Sequence, residues 1–90
     1  MKVINERDIA WELADYLKPY LCVDERNRTF VDLGSDDFLT AIYRLLTIAK
    51  DNQFALPAVT LERLHLWARI YQRERELAPT LARIRKLPPR

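Results

Sequence analysis

The sequence predicts an all-α fold, a three-helix bundle with a short insertion between its first two helices, and three observations carry that expectation. Apolar residues recur every three or four positions over most of the chain. The chain is short of punctuation, with Gly34 its only glycine. A composition of 49% hydrophobic and 31% charged residues over 90 positions suits one small core under a charged surface.

Asn5, with Asp8 three residues on, opens a rhythm at Ile9, Leu13, Leu17 and Tyr20, the spacing of one helix face. The first helix is expected from Glu6 to Lys18, where Pro19 removes a backbone donor and disfavours helical geometry in the residue before it. Trp11 stands about 200° from Ile9 on this helix, among Asp8, Glu12, Asp15 and Lys18 rather than on the Leu13 and Leu17 stripe. It is either covered by the insertion or exposed as an anchor for a protein partner.

Between Leu21 and Leu33, Cys22-Val23 and Thr29-Phe30-Val31 flank the polar run Asp24-Glu25-Arg26-Asn27-Arg28. The β-branched and aromatic flanks read as a short β-hairpin, with an irregular loop as the alternative. A lone ribbon is marginal in water, so a hairpin here requires Val23, Phe30 or Leu33 to pack on the helices. Cys22 reads as a small core residue.

Ser35 is a good helix cap, and Asp36 and Asp37 sit where the helix dipole favours negative charge. The second helix is expected from Asp36 to Lys50, with apolar residues around most of its circumference and only Thr40, Arg44 and Thr47 as a polar strip, which makes it the central helix. A third helix is expected to begin at Pro57.

That third helix carries two stripes. Leu61, Leu64, Trp67, Ala68 and Tyr71 form the core-facing one. A second, rotated by roughly 120°, runs Leu66, Ile70, Leu77, Ile84 and Leu87, with Ile70, Leu77 and Ile84 seven residues apart as in packed helices. Pro79 crosses it at a cost of about 3 kcal/mol in a helix interior, so the helix is expected to bend or break near Pro79. The chain then divides into a helical core domain over residues 1–72 and a basic C-terminal helical extension over 73–90. Two readings stay open: the segment after Pro79 folds back and buries Leu81, Ile84 and Leu87, or the helix projects and offers its second stripe to a partner.

Function classes are narrowed by inventory. The longest apolar stretch, Phe54 to Val59, falls far short of the roughly 20 residues that span a bilayer, and Met1 to Asn5 lack a secretory apolar segment, so a cytoplasmic location without a membrane partner is expected. One cysteine and one histidine, Cys22 and His65, offer no familiar zinc spacing. No glycine-rich phosphate loop is available. Ser35 serves better as a cap than as a nucleophile, and the pairs Asp36 with Asp37 and Asp8 with Glu12 are accounted for by helix electrostatics and a solvated face. No enzymatic role, cofactor, metal or small-molecule ligand is expected.

What remains is binding. The leading expectation is a protein-interaction module, self-associating or docking a partner helix through the third helix, with Trp11, Leu66, Ile70, Leu77, Leu81 and Ile84 as contact residues. The alternative is nucleic-acid binding. Residues 1–61 carry seven basic and ten acidic side chains, net −3, and residues 62–90 carry eight and three, net +5. Arg69, Arg73, Arg75, Arg83, Arg85, Lys86 and Arg90 are therefore candidates for phosphate contacts. Glu74 and Glu76 interrupt that run, and the connection before the third helix is long, and lacks the glycine, for a helix-turn-helix. No family signature stands in the sequence.

Overall fold

Asn5 opens the first helix in the way its spacing predicts: its side chain accepts from the Asp8 amide at 2.8 Å. A computed structural model describes residues 4–87 of the chain. Helix α1 spans Glu6–Leu17, followed by a short 3-10 turn at Lys18–Tyr20 in which Pro19 needs no donor. Then come α2 (Val23–Gly34), α3 (Phe38–Asp51), α4 (Ala58–Ile70) and α5 (Glu74–Arg85). The fold is all-helical, with five α-helices rather than three, and no strand among the described residues.

The expected hairpin over Leu21–Leu33 is corrected to helix α2. Its start is a capping box built on a cysteine: the Cys22 Sγ accepts from the Glu25 amide at 3.4 Å, and the Glu25 carboxylate accepts from the Cys22 amide at 3.0 Å. Cys22 is therefore exposed at a helix end, not in the core. Of the polar run, Asp24, Asn27 and Arg28 are exposed, and Asp24 and Arg28 pair one turn apart at 3.2 Å. Leu33 and Thr29 are buried one turn apart, the Thr29 hydroxyl donating to the Glu25 carbonyl at 2.8 Å. Val23 and Val31, the residues that suggest a strand, are the exposed ones.

Helix α2 runs to Gly34, and this moves the start of α3. Ser35 is the C-terminal cap of α2, so Asp37 takes over as the N-cap of α3, accepting from the Thr40 amide. Between them Asp36 adopts a left-handed backbone (φ 58°), and the Asp37 amide donates back to the Asp32 carbonyl at 2.9 Å. Two later helix ends repeat this closure. Gln53 (φ 57°) precedes an amide bond from Phe54 to the Ala49 carbonyl, and Gln72 (φ 59°) precedes one from Arg73 to the Ala68 carbonyl. Such closures usually place glycine at the left-handed residue; a chain with one glycine uses aspartate and glutamine instead.

As expected, α3 is central. Ala41, Ile42, Leu45, Leu46 and Ala49 are buried, and the helix packs against α1, α2 and α5. Helix α4 packs against α1 and α5 through Leu61, Leu64, Trp67 and Ala68. The fully buried Trp67 donates its indole N–H to Glu6 of α1 at 3.3 Å.

The expected break near Pro79 occurs earlier, at Tyr71–Arg73. Pro79 lies inside α5 on its exposed side. The turn at Gln72 folds α5 back, so that Leu77, Leu81 and Ile84 are 2%, 1% and 1% exposed within the same core as α1, α3 and α4. Burying three such side chains contributes roughly 1.5–3 kcal/mol each, enough to offset one proline in the helix. The Tyr43 hydroxyl of α3 also donates to Glu76 of α5. Burial first, and then the Glu76 carboxylate, hold that hydroxyl above the ordinary tyrosine range. The radius of gyration, 12.3 Å, is close to the ~12 Å of a compact chain of this length.

Two stability changes follow from these contacts. Leu81→Ala should cost about 2–5 kcal/mol and lower a single melting transition followed by circular dichroism; a transition in which α5 melts separately, leaving the main one unmoved, would contradict its place in the core. Gln72→Gly should raise stability by about 0.5–1 kcal/mol in urea titration by relieving the left-handed backbone. The same change at Arg69, an exposed position within α4, should lower it by a similar amount, because glycine in a helix interior gives up about 0.5–1 kcal/mol.

Candidate interaction surface

Helix α4 is the one on which burial and exposure of apolar residues part most sharply. At 100° per residue, Leu61, Leu64, Trp67 and Ala68 occupy one side and are buried. Val59, Leu66 and Ile70 fall within about 40° of one another on the other side, and are 62%, 43% and 51% exposed. The helix is held in place from beneath by the core, and at the edge of the stripe away from Glu62 an ion pair joins Arg63 to Glu12 of α1 at 2.8 Å, both partly covered. The outer stripe is thus presented on a rigid element.

Its flanks are charged. Glu62 and Arg69 are both exposed and lie on the same side of the stripe, seven residues apart. Arg69 also approaches Glu74 at 3.6 Å, a pair exposed enough to be worth little. Glu62 has no ion pair among the described residues. Together with His65, Leu66 and Arg85, these two side chains line a shallow depression of about 360 Å³ beside the stripe. The His65 Nε2 is covered and has no hydrogen-bond partner among the described residues.

Of the six residues expected to meet a partner, three are withdrawn from the surface. Leu77, Leu81 and Ile84 are core residues, because the fold-back of α5 supplies from within the chain the cover that a partner would have given. Leu66 and Ile70 remain exposed, joined by Val59, which stands seven positions before Leu66 and so extends the same spacing toward the N-terminus of the helix. Tyr71, expected on the core stripe, is 40% exposed beside Trp67. Trp11 is 38% exposed and tilts against Phe30 of α2, with ring centroids 6.1 Å apart. It leans toward α2, whereas Glu12 reaches α4, so the fold does not join Trp11 to the α4 stripe.

The basic candidates are dispersed. Arg69 pairs with Glu74 and Arg73 with Glu76 at 3.9 Å. Arg75, Arg83 and Lys86 share the outer side of α5, within about 80° of one another, and are exposed. Arg85 points to the other side, into the depression beside Leu66. Arg90 lies outside the described residues.

Other features offer no grouped chemistry. An open groove of about 460 Å³ between α2 and α3 has Arg28 and Arg44 on its walls, each engaged by an aspartate of α2, Asp24 at 3.2 Å and Asp32 at 3.0 Å. Among the described residues no three His, Cys, Asp or Glu side chains converge as metal ligands, and no helix is long and apolar enough to cross a membrane. In comparisons with protein-family models, curated proteins and solved structures, the chain matches none.

Proposed function

We propose that this chain is a protein-interaction module that acts by presenting the outer face of α4, with no chemistry of its own. The observation that supports it is the line of Val59, Leu66 and Ile70, exposed along one side of a helix whose other side is fixed in the core. Anchors at helical spacing on a preorganised helix lower the ordering cost of association. The charged flank gives such a face orientation more than affinity.

The test uses the whole chain in the cells it comes from. Replacing Leu66 or Ile70 with a photo-crosslinking benzophenone amino acid should yield discrete protein adducts on irradiation, and the same replacement at Val31, an equally apolar and exposed residue on α2, should not. No adducts from either α4 position, or the same set from Val31, would refute the reading. Leu66→Asp should leave the melting temperature within about 2–4 °C of the parent, because exposed substitutions change stability by only about 0.5 kcal/mol.

Nucleic-acid binding is the second reading, and the shared outer side of Arg75, Arg83 and Lys86 favours it, since none of the three has an ion pair among the described residues. On this reading a duplex is retarded at low salt, and replacing the three with alanine reduces the slope of log affinity against log salt by about 2–3. Retardation that survives the triple replacement unchanged, or is absent at low salt, removes it. Deleting α5 is no substitute for these replacements, because Leu77, Leu81 and Ile84 would leave the core with it.

A further inference from the structure

We infer that the occupant of the α4 face is a second copy of this chain, packed antiparallel across a two-fold axis that passes between His65 and Leu66. The inference rests on the interaction reading above and adds the partner and its orientation. Its basis is the self-complementarity of the flank. In an antiparallel pair of helices related by a two-fold axis, residues on the same side of the contact stripe face one another in reverse order. Glu62 then stands opposite Arg69 of the partner subunit, and Arg69 opposite Glu62 of the partner subunit, so one arrangement satisfies two ion pairs. In a parallel pair the two copies of this flank fall on opposite sides of the seam, and neither ion pair forms.

The apolar residues flank the same axis. Leu66 lies at the axis, where two copies meet beside the depression lined by Glu62, His65, Arg69 and, from α5, Arg85. Val59 and Ile70 lie on either side, and Val59 of one copy falls two positions, about 3 Å along the helix, from the level of Ile70 of the partner subunit. Glu62, which has no ion pair within the chain among the described residues, gains one in the pair. A standard interface takes about 800 Å² from each partner, more than three half-exposed side chains supply. The pair is therefore weak, with dissociation in the micromolar range or above.

Sedimentation equilibrium of the purified whole chain, from micromolar to millimolar concentration at low salt, reads the outcome. The parent should move from monomer to dimer across the series. Glu62→Arg and Arg69→Glu, each alone, should raise the dissociation constant at least about threefold, because each places like charges opposite one another. Mixed together, these two variants should associate better than either alone, and the variant carrying both changes should return to within about twofold of the parent. Circular dichroism checks that all fold alike, as exposed positions permit. A parent that stays monomeric at millimolar concentration, or a mixture and double variant no better than the single ones, overturns the antiparallel pair. If the parent is monomeric while position 66 still crosslinks a different protein, the interaction reading stands and only the choice of partner falls; if neither occurs, both fall.

Discussion

The turn at Tyr71–Arg73 is the constraint on which the rest of the molecule depends. With Gln72 left-handed and the Arg73 amide bonded to the Ala68 carbonyl, the chain reverses and lays α5 against α3 and α4. That one reversal divides the apolar residues of the last third of the chain into two fates. Leu77, Leu81 and Ile84 close the core from one side, and Leu66 and Ile70 are left outside it. A straight continuation would have exposed all five and left α3 uncovered along the side now occupied by α5. The backbone strain at Gln72 is small beside the apolar burial it permits.

The same reversal sets the electrostatics of the surface. It brings Glu74 near Arg69 and carries Glu76, which also approaches Arg73 three residues before it within the first turn of α5, to the Tyr43 hydroxyl. The basic C-terminal third is thereby partly neutralised, and what charge remains is divided between the outer side of α5 and the edge of α4. A uniform basic patch, the arrangement that nucleic acid would favour, is replaced by a short stretch on α5 and a mixed flank on α4.

Much of the fold is legible in the residues, and the departures have specific causes. The cap at Asn5, the central place of α3 and the core side of α4 follow from periodicity and capping chemistry, which act within a few residues of one another. Helix α2 escapes such a reading because its cap is a cysteine, and because Val23 and Val31, strand formers by propensity, face solvent, where that propensity decides nothing. Local chemistry points to a break at Pro79 because proline is the strongest signal against a helix. On the exposed side of α5 that signal is tolerable, and the actual break falls at a glutamine that carries no such mark. Of the proposed interaction surface, Leu66 and Ile70 are legible as a second stripe; Val59 joins them only once the start of α4 and its exposed side are known.

The sequence by itself determined the helical class, the amphipathic faces and the surplus of apolar positions near the C-terminus, since each of these is a matter of local spacing. Only the tertiary structure decided which of the surplus positions would be satisfied internally. That choice depends on where the chain reverses and on which faces meet across the core, and contacts between residues far apart in the chain are not written in the spacing of neighbours.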